Sequence, residues 1–117
     1  MKAEREVELK FKIASREDFL DLRDSPRWGS RGSEERQVNH YFDTVDLLLV
    51  KSGAMLRIRE EGDCTLTLKC GREVSPGLFD SREIESPVGL KILKAAVEEP
   101  RSLLDLALDP IRELEAR

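Results

Sequence analysis

Polar and apolar residues alternate in five short segments of the chain, which predicts five β-strands. The first segment, roughly Arg5 to Ile13, contains the stretch EVELKFKI, in which charged residues alternate with Val7, Leu9 and Phe11. Successive side chains of a strand point to opposite faces, so one face of this strand is charged and the other is apolar. We therefore expect a half-buried strand whose apolar side lies on the core.

The same alternation returns in VNHYFDT, AMLRIRE, DCTLTLKC and SREIESP. In the second strand His40 lies on the side of Val38 and Phe42, which favours a structural histidine over a catalytic one. The strands together collect charged and hydroxyl residues on one side of a sheet: Glu6, Glu8, Lys10, Arg57, Arg59, Thr65, Thr67, Lys69, Glu83 and Glu85.

Helices and a loop are predicted between and after these strands. Ser15 is a predicted N-cap for a short helix in SREDFLDL, and the segment from Asp24 to Gln37 is rich in Gly, Ser, Pro and charge and predicts a loop. The stretch VDLLLVKSG predicts one short helical turn or an irregular packing segment, and the sequence after Pro87 predicts two or three short helices. The fold class is therefore α+β.

Composition limits the range of functions. The 117 residues with 39% hydrophobic content predict a single small domain over residues 1–117. A net charge of −4 argues against a general nucleic-acid or membrane binder, although a local basic cluster can still hold a small anion. No apolar run is long enough to span a bilayer and no signal-peptide core precedes the first strand, so we expect a cytoplasmic protein.

The two cysteines, Cys64 and Cys70, lie on one predicted strand. At about 3.3 Å per residue they stand roughly 20 Å apart, too far for a disulfide. Both cysteines are an even number of residues from Leu66 and Leu68 and so lie on the same side of the strand, which predicts buried free thiols. With one histidine and no CxxC spacing, a thiolate metal site is not expected.

The charged side of the sheet has the chemistry of a site for a metal-bound polyphosphate. Carboxylates at i and i+2, as in Glu6 and Glu8, offer the oxygen ligands that a hard cation such as Mg²⁺ prefers. Arginines at i and i+2, as in Arg57 and Arg59, donate bidentately to phosphate oxygens. The alternative is a solvated face whose charges pair across strands at roughly 0.2–1 kcal/mol each.

The segment EVELK resembles the ExExK signature of the CYTH family, the triphosphate tunnel metalloenzymes, which includes class IV adenylate cyclases, thiamine triphosphatases and inorganic triphosphatases. The resemblance continues in the family's order through HYFDT, LRIR, TLTLK and REIE, over about the first 85 residues. It implies hydrolysis of an inorganic, nucleoside or thiamine triphosphate with Mg²⁺ or Mn²⁺ as cofactor.

The resemblance also implies roles for individual residues. Glu6, Glu8 and Lys10 are expected to be catalytic, and Glu6, Glu8, Glu83 and Glu85 are expected to face the metal. The expected triphosphate contacts are Lys10, Arg57, Arg59, Lys69 and Arg82. The position of Arg82 matches the family's RxxE segment, although its parity places it opposite the other residues of this set.

The family closes its tunnel with a second set of strands, whereas the sequence after Pro87 predicts helices. We therefore expect an antiparallel sheet that forms about half of a CYTH-type tunnel, and a homodimer is one way to complete it. Two other functions remain open: a triphosphate- or polyphosphate-binding module without catalysis, and a class IV-type adenylate cyclase. The cyclase is the weaker of these because nothing in the sequence specifies an adenine pocket.

Overall fold

The computed structural model describes residues 3–28 and 32–116 and has one sheet with four α-helices. The strands are β1 (Glu4–Leu9), β2 (Val38–Phe42), β3 (Ala54–Glu61), β4 (Asp63–Ser75) and β5 (Leu78–Val88). The α-helices are α1 (Arg16–Arg23), α2 (Leu48–Lys51), α3 (Leu90–Glu98) and α4 (Asp109–Glu115). Short 3₁₀ helices span Pro26–Trp28 and Pro100–Asp105. Residues 29–31 of the predicted loop lie outside the described residues.

The sheet is antiparallel throughout, in the order β1-β5-β4-β3-β2. Gly62 and Gly77, with φ of 73° and 77°, lie in the tight turns on either side of β4. A positive φ strains residues that carry a Cβ, so these two positions favour glycine. Within the part of the chain that the structure describes, the sheet does not close on itself, and β1 and β2 are its edges. The predicted α+β architecture with an open antiparallel sheet is confirmed.

The core lies between one side of the central strands and the C-terminal helices. Leu56, Ile58, Leu66 and Leu68 on β3 and β4 are at most 4% exposed. They belong to one buried cluster with Leu93, Ala96, Leu103 and Ile111 from the helical segment after β5. Burying these side chains supplies most of the hydrophobic stabilisation of the fold. None of the helices in the described ranges is long and apolar enough to cross a membrane.

The apolar side of β1 departs from the prediction. The strand ends at Leu9 rather than Ile13, and Val7, Leu9 and Phe11 are 55%, 61% and 83% exposed. The helices α3 and α4 pack against β4 and β5, so the core stops short of β1. The prediction that this side of β1 lies on the core is wrong, because alternation identifies two faces but not which of them is covered.

The cysteines and His40 lie on the core side of the sheet. Both cysteines are free; Cys64 is buried, as predicted, whereas Cys70 is only partly buried. Burial raises the pKa of the Cys64 thiol. His40 Nε2 lies 2.7 Å from Glu60 Oε2. The histidine is therefore held by a neighbouring strand, on the opposite side of the sheet from the candidate site.

Candidate functional site

The strand register places most of the predicted site residues on one side of the sheet, which we call the polar face. Lys69 pairs with Glu83, Thr67 pairs with Glu85, and Arg57 pairs with Thr67 on its other neighbour. The polar face consists of Glu6, Glu8, Arg57, Arg59, Thr65, Thr67, Lys69, Glu83 and Glu85. These residues come from four strands, so the alternation in the sequence was sufficient to group them.

Three carboxylates surround the ammonium of Lys69, and we call these four residues the acid–lysine cluster. Lys69 Nζ lies 3.3 Å from Glu6 Oε2, 3.2 Å from Glu8 Oε1 and 3.5 Å from Glu83 Oε1. The pairing of β1 with β5 brings Glu6 and Glu8 to a lysine 61 positions or more away in the sequence. Its side chains are between 19% and 37% exposed, so the cluster is shielded from bulk water but not sealed.

Burial and the neighbouring charges shift the pKa values of Lys69, Glu8 and Glu83 in the acid–lysine cluster. Burial alone would lower the pKa of Lys69, but its hydrogen bond to Glu8 and the charge of Glu6 outweigh burial and raise it. The hydrogen bond from Lys69 lowers the pKa of Glu8. Burial, followed by the proximity of Glu6, raises the pKa of Glu83. Lys69 is therefore firmly protonated, whereas the surroundings of Glu83 disfavour its ionisation.

Lys10 lies next to the acid–lysine cluster, one residue beyond β1. Its Nζ is 3.4 Å from Glu8 Oε1 and 4.6 Å from the centre of the Phe79 ring. The side chain is 57% exposed. Phe79 was not among the predicted site residues, although it lies on the same side of β5 as Glu83. The ring gives Lys10 a cation–π contact at the edge of the polar face.

Arg57 has a different environment. It is only 9% exposed, and its Nε is buried without a hydrogen-bond partner. Among residues 3–28 and 32–116, no carboxylate pairs with its guanidinium. Its register partners are Thr67 on β4 and Tyr41 on β2. A buried and uncompensated positive charge is costly, so this position favours the arrival of an anion.

Arg59 and Thr67 have polar partners on the same face. Arg59 Nε donates to Asn39 Oδ1 at 2.8 Å, and Thr67 Oγ1 donates to Glu85 Oε1 at 3.3 Å. Asn39 is neutral, so Arg59 is oriented without being neutralised. Asn39 was absent from the predicted site residues, although it pairs with Arg59 in the register and lies on the same side of the sheet.

The structure does not bring Arg82 to the polar face. In the register it pairs with Arg5 on one side and Cys70 on the other, and it is exposed. Its neighbours in β5, Ser81 and Glu83, point to the other side of the sheet. The predicted triphosphate contact by Arg82 therefore does not fit this site, as its parity in the sequence already indicated.

Ser81 is a buried residue of the polar side that the predicted site did not include. It is 5% exposed, and its Oγ has no hydrogen-bond partner within the described part of the chain. It pairs with Glu6 on β1 and with Gly71 on β4. A Cβ at Gly71 would overlap Ser81 Cβ and approach Asp80 O to 2.7 Å. Glycine therefore allows β4 and β5 to approach closely beside the acid–lysine cluster.

The donor chemistry of the acid–lysine cluster fits a hard divalent cation, because carboxylate oxygens from Glu6, Glu8 and Glu83 converge on one positive charge. The point of convergence is taken by Lys69. In the described residues, no group of three or more His, Cys, Asp or Glu side chains is arranged to hold a metal ion. A metal at this position therefore requires the ammonium to move.

Comparisons with known proteins agree with this architecture. A structure of a putative adenylyl cyclase from Hippeastrum, described as having a dominant triphosphatase activity, matches with a TM-score of 0.64 and 24% sequence identity. The match covers 90% of this chain and 50% of that one, so the chain spans about half the length of that structure. A search of curated proteins found no match. The family model described as the CYTH domain matches residues 4–116, and the chain therefore belongs to the CYTH family.

Proposed function

We propose that the polar face binds a triphosphate and that the protein hydrolyses its terminal phosphoanhydride bond with the help of a divalent metal ion. The observation that carries this proposal is the environment of Arg57, which is 9% exposed, has its Nε buried without a hydrogen-bond partner and lacks an anionic partner among the described residues. Membership of the CYTH family and the triphosphatase activity described for the Hippeastrum protein support the choice of substrate.

The anion proposed for Arg57 is a phosphate because of the groups around it. Arg57 and Arg59 lie two residues apart on β3 and so project from the same face, with Thr67 and Thr65 as their partners on β4. The two guanidinium groups and two hydroxyls place several hydrogen-bond donors on one face, which suits the many acceptor oxygens of a polyphosphate. These donors would stabilise the charge that develops on the departing pyrophosphate when water attacks the terminal phosphorus.

The carboxylates have a separate role in this proposal. Glu6 and Glu8, with Glu83 and Glu85 close by, would hold Mg²⁺ or Mn²⁺, which supplies Lewis-acid polarisation of the phosphate oxygens when bound. Lys69 contacts Glu6, Glu8 and Glu83, Lys10 contacts Glu8, and we assign both lysines as further contacts to the anion. Because Lys10 is 57% exposed, it is the residue that a bound anion could reorient most easily.

A second candidate is binding of triphosphate or polyphosphate without catalysis. It is favoured by the open sheet, in which β1 and β2 are edges, and by the lysine that stands where a metal would lie. An open polar face admits water, which weakens electrostatic stabilisation of a transition state. Two copies of the chain that pair edge to edge or face to face could enclose the polar face in a closed tunnel, and we propose a homodimer as the active form.

The proposed function is tested by phosphate release from inorganic tripolyphosphate with Mg²⁺ and then Mn²⁺, and the mass in solution is measured by light scattering on the same sample. We expect turnover by a dimer, its loss in Glu6→Gln, and a large decrease in Arg57→Met. Arg82→Met is the matched control, because it removes an arginine from the opposite side of the sheet.

The possible outcomes separate the candidates. Turnover that survives in Glu6→Gln would overturn the metal role of this carboxylate. Tripolyphosphate binding without turnover would identify the binding module. A strictly monomeric mass at micromolar concentration, with activity retained, would exclude the homodimer as the active form.

A further inference from the structure

A single ammonium contacts all three carboxylates of the acid–lysine cluster. Lys69 Nζ is within 3.5 Å of oxygens from Glu6, Glu8 and Glu83, and its side chain is 21% exposed. The three carboxylates come from two strands, whereas the cation comes from the strand beside them. The structure thus contains an oxygen-lined cation site whose occupant is part of the protein.

A divalent ion and this ammonium cannot share the same oxygens. Two positive charges a few ångströms apart in a partly shielded site repel each other strongly. The carboxylates would also lose their contacts with Lys69 when they turned to a metal. For the described residues, this agrees with the absence of any group of acidic, histidine or cysteine side chains set to receive a metal directly.

Lys69 has an alternative position on the same face. It lies two residues from Thr67 on β4, and Thr67 pairs with Arg57. Successive residues on one side of a strand are about 6.6 Å apart, so an anion bound at Arg57 lies within reach of the lysine's four-carbon stem. A triphosphate would therefore offer the ammonium new acceptors without removing it from the polar face.

We propose that Lys69 is an internal competitor for the metal position, and that a bound triphosphate draws its ammonium away and frees the carboxylates for the divalent ion. This inference rests on the proposed function for the anion. Lys69 then determines when the metal binds. The carboxylates bind a divalent ion weakly in the anion-free protein and more tightly once the triphosphate is bound. By reciprocity, the metal strengthens binding of the anion to the same extent.

The test is a titration of the protein with Mn²⁺ alone. Electron paramagnetic resonance measures the concentration of free Mn²⁺ at each step and so gives the affinity. Wild type is compared with Lys69→Met, which retains the length of the side chain and removes its charge. We expect Mn²⁺ to bind Lys69→Met at least about tenfold more tightly than wild type, which corresponds to about 1.4 kcal/mol. Lys69→Arg should behave like wild type, because it restores the cation.

Lys94→Met is the matched control, since it removes the same charge from an exposed position on α3, away from the acid–lysine cluster. If Lys69→Met does not fold without metal, Lys69→Gln takes its place, because the amide can still donate a hydrogen bond to the carboxylates. Circular dichroism checks the fold of each variant.

Two results would overturn the inference, and they differ in what they say of the proposed function. Equal Mn²⁺ affinity in wild type and Lys69→Met, with triphosphate binding intact, would show that Lys69 does not compete with the metal and would leave the proposed function standing. Absence of Mn²⁺ binding in all variants, with and without tripolyphosphate, would overturn both.

Discussion

The two halves of the polar face handle positive charge in opposite ways. On the β1–β5 side, one ammonium is surrounded by three carboxylates. On the β2–β3 side, Arg59 is oriented by the neutral Asn39, and Arg57 is buried with no anionic partner in the described residues. Both halves arise from the same sequence pattern, in which charged residues occupy positions i and i+2 of a strand. The spacing therefore groups the charges, but the strand register decides which of them are compensated.

This difference indicates whether each half of the polar face favours a cation or an anion as its ligand. The half around Lys69 already holds a cation, and in our proposal that cation gives way to a divalent ion. The uncompensated half gains most from an anion, because an unpaired buried charge is a cost that the free protein already carries. Variants that remove one charge at a time test this asymmetry.

The largest effect is expected in the uncompensated half. Arg57→Met should weaken binding of tripolyphosphate by about 10- to 100-fold, the loss expected for hydrogen bonds to a charged group. The same change should leave the free energy of unfolding equal or raised, because it removes a buried charge that lacks a partner. Isothermal titration calorimetry in the presence of EDTA measures the affinity without turnover, and urea unfolding measures the stability.

Arg82→Met is the control for this prediction, because Arg82 is exposed on the opposite side of the sheet. It should change neither affinity nor stability appreciably. If Arg57→Met bound tripolyphosphate as tightly as wild type, the anion site would lie elsewhere and the contrast between the two halves would lose its functional meaning.

An intermediate effect is expected in the compensated half. Lys69→Met should lower the free energy of unfolding at pH 7 by about 1–3 kcal/mol, because three carboxylates lose their common hydrogen-bond donor. The pKa of Lys69 is raised above its ordinary 10.5, so its contribution is fully present below that pH and is lost as the pH rises through the higher folded-state value. Urea unfolding at pH 7 measures the loss.

The loss in Lys69→Met should shrink as the pH falls and the carboxylates take up protons. Lys94→Met provides the comparison, since it removes a lysine from the exposed face of α3. Equal midpoints for wild type and Lys69→Met at pH 7 would mean that solvent screens the acid–lysine cluster completely.

The sequence was informative about the strands and their faces because both depend on local alternation. It grouped Glu6, Arg57 and Lys69 on one side of a sheet, and the register confirms that grouping. It also identified Ser15 as the N-cap of α1, where its side chain accepts a hydrogen bond from Asp18 N. These features are encoded within a few neighbouring residues.

The features that the sequence did not reveal depend on contacts between distant segments. The exposure of Val7 and Leu9 follows from where the C-terminal helices pack, about 90 residues later in the chain. Arg57 and Arg59 occupy equivalent positions in the alternation of β3. Only Arg57 of the two is buried with its Nε unpartnered, whereas Arg59 Nε donates to Asn39. The three-way contact of Lys69 depends on the pairing of β1 with β5, which no local pattern specifies.

The smallest effect tests whether the carboxylates around Lys69 are equivalent. The pKa of Glu8 lies below its ordinary 4.5, so the stability it contributes is present above pH 4.5 and is lost as the pH falls through the lower folded-state value. Glu8→Gln should therefore lower stability at pH 7. Urea unfolding at pH 7 checks the direction of the change.

Glu83 should respond with the opposite sign. Its pKa is raised above 4.5 by burial and by Glu6, so its favourable contribution is present below pH 4.5 and is lost as the pH rises through the higher folded-state value. The ionised carboxylate at pH 7 is then a small net cost, and Glu83→Gln should raise the free energy of unfolding by about 0.5 kcal/mol. Opposite signs for the two variants would mean that Lys69 stabilises the ionised form of Glu8 more than that of Glu83, so that Glu83 carries negative charge available to a cation of higher valence. Equal losses in both would mean that the ammonium stabilises the ionised forms of Glu8 and Glu83 to the same extent, against the opposite directions of their pKa shifts.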